Sequence, residues 1–121
     1  MLLLCLFASL CISLLHGFIF PEREFVSVNL TIECTANLST ILSLRDLDVI
    51  KDDVLATIHI TEPGTYLLEG TEKEYGTFEP YIEVLGTCNG IPHNFRHMIQ
   101  ENFIYKKKAD RKVYGHTVRL D

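Results

Sequence analysis

The sequence predicts an all-β protein, an antiparallel sandwich assembled from several short strands. Three observations carry that reading. Segments of alternating apolar and polar residues recur along the chain, turn signals containing Gly, Pro or Asn separate them, and no long amphipathic helical pattern intervenes. At 121 residues there is room for one domain.

The chain opens on an apolar leader. Leu2 to Leu15 is interrupted only by Ser9 and Ser13, and His16 and Gly17 follow. The run is shorter than the ~20 apolar residues a membrane span needs, and it suits the h-region of a signal peptide. Gly17 supplies the small residue at the cleavage point. The expectation is therefore a signal peptide over 1–17 and a secreted, extracellular domain over 18–121. Cleavage removes Cys5 and Cys11 and leaves Cys34 and Cys88. In an oxidising compartment two such cysteines either pair or stay as buried thiols. Paired, they would close a long loop and contribute about 4 kcal/mol in the chain-entropy account.

Phe25 to Cys34 is the clearest strand. Val26, Val28, Leu30, Ile32 and Cys34 share one face, and Ser27, Asn29, Thr31 and Glu33 the other. Two glycosylation sequons, Asn29-Leu30-Thr31 and Asn37-Leu38-Ser39, fit a secreted chain, with Asn29 on the polar face. After a turn at Thr35–Ser39, Thr40 to Asp46 is a second strand and Val54 to Thr61 a third, joined by an acidic loop. Glu62-Pro63-Gly64-Thr65 has the Pro and Gly of a type II turn, from which Tyr66–Glu69 returns as a hairpin strand.

Glu72, Lys73 and Glu74 favour a helical turn over Thr71–Tyr75, limited by Gly70 and Gly76. Pro80 to Thr87 alternates as a fifth strand and Asn89-Gly90 turns the chain. Phe95 to Ile104 reads as a strand, Lys106 to Lys112 as a basic loop, and Val113 to Leu120 as the last strand.

Composition narrows the function. A formal charge of −5 argues against general nucleic-acid binding, which depends on neutralising phosphates. Asp46, Asp48, Asp52 and Asp53 offer clustered carboxylates of the kind calcium takes, but the Gly and closing Glu of an EF-hand loop are missing. A solvated loop that blunts a strand edge is the stronger reading, and no metal or cofactor is expected. His59, His93, His97 and His116 are scattered, with no partner at ligand spacing and no nucleophile–base pair. Lys106, Lys107, Lys108, Arg111 and Lys112 form the one strong charge feature. Each such cation near an anionic phospholipid surface is worth about 1 kcal/mol, although a solvated loop explains the run more simply.

These segments, taken together, resemble the nematode transthyretin-like family over nearly the whole mature chain, from Val26 to Leu120. Ile32-Glu33-Cys34 occupies the place of the strand that ends in the family's first Cys. Asp48, Asp52, Asp53 and Leu55 match its acidic loop, and Pro63 to Gly70 its hairpin. Phe78-Glu79-Pro80-Tyr81-Ile82-Glu83-Val84 reproduces the core of its signature, with Cys88 at the end, and Val113-Tyr114-Gly115 and Val118-Arg119-Leu120 fit the last strand. Leu30 stands in place of the usual Gly before the first Cys, Gly86 in place of the usual His, and Pro92 to Arg96 holds no Cys where most members have one.

The resemblance implies a transthyretin-like sandwich of seven to eight strands in an immunoglobulin-like arrangement, and secretion. Without the further cysteine, it leaves Cys88 either unpaired or bridged to Cys34. It implies extracellular binding or bridging of a protein or other cell-surface component, without catalysis. A carrier of a small apolar molecule is the alternative. The related hydroxyisourate hydrolases end in Tyr-Arg-Gly-Ser; this chain ends in Arg119-Leu120-Asp121, which argues against an enzyme.

Overall fold

The computed structural model describes residues 22–73 and 76–121. The signal peptide expected over 1–17 lies outside them. Seven strands form two sheets: β1 Arg23–Glu33, β2 Leu38–Asp46, β3 Asp53–Ile60, β4 Gly64–Lys73, β5 Pro80–Cys88, β6 Ile91–Met98 and β7 Val113–Arg119. One sheet has the order β4-β1-β7 and the other β3-β2-β5-β6. All pairings are antiparallel except that of β7 with β1. The expected sandwich is therefore present, with seven strands and no α-helix among the described residues.

Alternation in β1 sets the core. Val26, Val28, Leu30 and Ile32 are buried and face Leu42, Leu44, Ile82 and Val84 of the other sheet. Apolar burial at ~25 cal/mol per Å² makes this central layer the main source of stability. Ser27 breaks the pattern, since it belongs to the polar face yet has no exposed surface. Tyr105 covers it: the Tyr105 backbone pairs with Phe25, and its phenol lies 2.6 Å from Ser27 Oγ.

Five local expectations are corrected. β3 and β4 are not a hairpin, because the chain crosses from one sheet to the other at Thr61–Pro63 and β4 pairs with β1. Gly64 has φ 154°, a positive value that favours glycine but is far from the φ near +80° that a type II turn asks of its Gly. Thr71–Lys73 is the end of β4 rather than a helical turn, since Arg23, Glu24 and Phe25 of β1 supply a ladder for it. The sixth strand begins at Ile91, not Phe95. Asn89 and Gly90 take φ 53° and 77°, the two left-handed positions of a tight hairpin, and the chain re-enters the sheet at once. Pro92 is tolerated there because β6 is an edge strand. Glu101–Phe103, expected in the strand, is a 3₁₀ turn.

Candidate functional site

Successive strands reverse direction, so the β2–β3, β4–β5 and β6–β7 connections share one end of the sandwich with the start of β1. Ladder ends confirm it: Arg23 pairs with Lys73, Asp46 with Pro80 and Phe25 with Tyr105. The opposite end holds the Cys34–Cys88 disulfide, which ties the end of β1 in one sheet to the end of β5 in the other. The sequence left open whether these cysteines pair; their Cα atoms are 6.1 Å apart and the sulfurs are bonded.

The first of these connections carries the acidic loop, and two of its members do structural work. Asp46 belongs to β2 and is buried, its Oδ1 accepting the Glu79 N–H at 3.0 Å. Asp52 accepts the phenol O–H of Tyr81 and, at 3.0 Å, the Asp48 N–H. The Tyr81 bond, then that to Asp48, holds the Asp52 carboxyl below its ordinary range, while burial, with Asp52, pushes the Tyr81 phenol up. Arg96 lies 4.8 Å from the Tyr81 ring centroid. The loop is thus pinned to the outer face of the larger sheet. At its tip Val49 and Ile50 are 99% and 96% exposed.

Carboxylate oxygens of Asp46, Asp53 and Glu72 gather within 4.8 Å of one another. Burial, reinforced by Asp53 and Asp46, raises the Glu72 carboxyl above its ordinary range. This is the described cluster whose donors suit a hard cation. The sequence showed Asp46 and Asp53 in one loop; Glu72 joins them from β4 and carried no signal.

The basic residues sit at the same end. Lys106 pairs with Glu22 at 3.3 Å, and Lys112 donates to the Asn102 carbonyl at 3.1 Å. Arg111 is turned back onto the sheet: Nη2 and Nε donate to Glu69 Oε2 at 3.1 and 3.3 Å, and Ser27 Oγ donates to the same oxygen at 2.6 Å. Ser27, then Arg111, holds the Glu69 carboxyl low. Lys107 and Lys108 are exposed and have no partner among the described residues. Of the five cations the sequence grouped, these two are the ones whose side chains have no partner among the described residues.

Two shallow hollows flank the strip Gly76–Thr77. One is lined by Asp48, Asp53, Glu72, Lys73 and Glu79; the other by Glu24, Phe78, Glu101, Ile104 and Lys106.

The sequons fall elsewhere. Asn29 is exposed on the outer face of the three-stranded sheet, between Leu67 and Gly115. Asn37 is exposed in the turn before β2, with φ 55°, a left-handed conformation that Asn tolerates.

Among the described residues, His59 and His93 lie apart, and His97 and His116 come together. His59 lies 3.0 Å from Ser39 Oγ on the outer face. His93 reaches Thr40 Oγ1 at 3.0 Å across Gly86. His97 stacks on His116 with centroids 3.8 Å apart, its Nε2 lying 2.7 Å from the Tyr114 hydroxyl. That stack joins the edge strands β6 and β7, a pairing the sequence did not signal.

No family model matches the chain, and no curated protein matches it. Among solved structures it is similar to a 9R-lipoxygenase from Cyanothece PCC8801, at 15% identity and a TM-score of 0.38. The match covers 82% of this chain and 16% of the lipoxygenase chain, and a likeness so slight carries no argument about fold or activity. Among the described residues no helix is long and apolar enough to cross a membrane.

Proposed function

We propose that this chain is a secreted, non-catalytic transthyretin-like protein that binds or bridges components at cell surfaces. The family motifs in order, the seven-strand sandwich and the disulfide support that reading. A disulfide persists in an oxidising compartment, which favours the extracellular side. The observation that carries the binding role is the pair Lys107 and Lys108, exposed and without a partner among the described residues, while Lys106, Arg111 and Lys112 are tied to their own surroundings. Free cations on a rigid scaffold are what an anionic surface selects, whether phospholipid or an acidic protein.

Flotation with vesicles containing phosphatidylserine tests the lipid form of this contact. The expected result is co-flotation that weakens with salt and is lost in Lys107→Glu/Lys108→Glu. Equal behaviour with neutral and anionic vesicles removes phospholipid as the partner. The expected glycans on Asn29 and Asn37 clash with none of this, since neither residue stands at the charged end.

A further inference from the structure

The end of the sandwich opposite the charged loops carries a small polar junction. Thr35 follows Cys34 out of β1, Asn89 follows Cys88 out of β5, and Asp121 lies just beyond β7. The Asn89 side-chain amide has an acceptor for each of its hydrogens there, Thr35 Oγ1 and Asp121 Oδ2, both at 2.7 Å. The same Asp121 oxygen accepts the Thr35 N–H at 2.9 Å and the Thr35 hydroxyl. A carboxylate accepts and cannot donate, so it is the nitrogen of the Asn89 amide, not its oxygen, that must face Asp121. Asn89 is also the asparagine of this chain with glycine after it, since Asn29, Asn37, Asn94 and Asn102 precede Leu or Phe. Asn89 and Gly90 are both exposed, and the Gly90 N–H meets no backbone carbonyl among the described residues.

We propose that Asn89 is a site of spontaneous modification: it loses its side-chain amide by intramolecular deamidation, and the carboxylate left behind unlocks the junction. The Gly90 nitrogen attacks Asn89 Cγ. A C–N bond forms, Nδ2 departs as ammonia with the proton that the Gly90 nitrogen gives up, and a five-membered imide remains. Water then adds to either imide carbonyl and opens the ring to an aspartyl or an isoaspartyl residue. In sum, one amide and one water become one carboxylic acid and one ammonia. Glycine favours the first step because no side chain stands beside the attacking nitrogen and its backbone is the freest to turn. The two bonds of the amide delay that turn without forbidding it, because they are exposed and water replaces them as they break. Afterwards a carboxylate oxygen takes the place of Nδ2, 2.7 Å from Asp121 Oδ2. Two carboxylates that close cannot both stay ionised, so one swings away and the Thr35 N–H loses its acceptor. The disulfide beside the junction still holds β1 to β5, so the release is local: it frees Asp121 and the Thr35 turn and leaves the sheets joined. The isoaspartyl product also adds a main-chain methylene to a tight hairpin turn. With ammonia lost to solvent the change runs one way, and it records the age of the molecule. Nothing in this chemistry depends on the charged end or on what its lysines meet.

Peptide mapping by mass spectrometry tests the first step, on the protein with its disulfide intact, held at neutral pH and body temperature and sampled over time. The expected result is a gain of one mass unit in the peptide holding Asn89-Gly90, divided between aspartyl and isoaspartyl forms, while the peptides holding Asn94 and Asn102 are unchanged. Asp121→Ala removes one hold on the Asn89 amide and is expected to gain that mass sooner than the wild type. Amide hydrogen exchange on Asn89→Asp tests the second step. Asp before Gly keeps the turn signal and tolerates the left-handed backbone, so the comparison reports the junction and not the turn. The Thr35 amide is expected to exchange at least about tenfold faster than in the wild type, as the loss of a hydrogen bond to a charged group implies, with Val28 and Leu30 as protected as before. Asn89→Asp/Asp121→Asn returns one amide and one carboxylate to the junction and is expected to restore the protection of Thr35. That recovery shows that the loss in the single variant is not misfolding. An Asn89 peptide that ages no faster than those of Asn94 and Asn102 overturns the proposal. So does a Thr35 amide indifferent to Asn89→Asp, one that the paired substitution fails to recover, or an Asp121→Ala protein that ages no sooner.

Discussion

Gly86 is the position where a single methyl group should do most harm. It stands on the core face of β5, in a row with Thr40 of β2 and His93 of β6. A Cβ there would lie 2.2 Å from the Ser39 carbonyl oxygen, 2.5 Å from Thr40 Cα and 2.8 Å from Thr40 Oγ1. The first two are backbone atoms of the paired strand, so relief requires β2 to move away from β5 and no rotamer can supply it. Overpacking of a core costs about 1–3 kcal/mol, and this case belongs at the top of that range. The His93 ring crosses Gly86 to reach Thr40, so a side chain there also threatens a part-buried hydrogen bond worth about 1 kcal/mol. Gly86→Ala should therefore lose about 3–4 kcal/mol, a large part of the ~5–15 kcal/mol that holds a domain together. With a urea slope of about 1–3 kcal/mol per molar, the unfolding midpoint falls by roughly 2 M. Gly115→Ala is the control. It is also a strand glycine, but a Cβ there meets nothing within 4 Å, and Ala should gain up to about 1 kcal/mol over Gly. If Gly86→Ala unfolds with the wild type, or the two substitutions cost the same, close approach of β2 is not what Gly86 permits.

Two further outcomes follow from the same structure. Replacing both Cys34 and Cys88 with Ala should cost about 4 kcal/mol, since the bridge closes a loop of 54 residues; two free thiols in the secreted protein by non-reducing mass spectrometry would remove the basis of that figure. Burial, then His116, lowers the His97 pKa, and burial lowers that of His93. The unfolded chain then takes up protons near pH ~6.5 while the folded chain resists, so stability is full above that pH and lost as pH falls through it. The lowered carboxylates of Asp52, Glu69 and Asp121 act in the same direction only in the acid range. Urea midpoints should decline from neutral pH to pH ~5.5, and His97→Gln should flatten the decline; a flat wild-type profile contradicts the assignment.

Much of this fold was legible wherever one face of a strand is buried and the other wet. β1 and β5 show it: their alternation put Val26, Val28, Leu30, Ile32, Ile82 and Val84 inside, as they are. β3 was harder, because a bulge opposite Leu44 and Arg45 interrupts its register and turns Leu55 toward the core. The hairpin assigned to β3 and β4 failed for a different reason. A turn sequence reports that the chain reverses, not whether it returns to the same sheet, and only the pairing of β4 with β1 decides that. The strand at Phe95–Ile104 slipped because Pro92 reads as a breaker unless the strand is known to be an edge.

The charged end shows where such reading stops and why it need not have stopped there. Asp48 and Lys107 are far apart in sequence, and nothing local to either announces the other. Yet in a chain of alternating strands, every connection from an even strand to an odd one lies at the same end. The acidic loop follows β2, the Gly76–Thr77 strip follows β4 and the basic loop follows β6. Strand parity alone therefore brings the three together, and an error in which strands pair leaves parity unchanged. What parity cannot supply is engagement. Arg111 belongs to the basic run by position but to Glu69 by geometry, and Asp46 belongs to the acidic loop by position but to the Glu79 backbone by geometry. Among the described residues of this end, Val49, Ile50, Lys107 and Lys108 are exposed side chains that no hydrogen bond or ion pair ties to the fold. A surface that meets another molecule must be made from such residues, because those already satisfied would have to give up a partner to gain one.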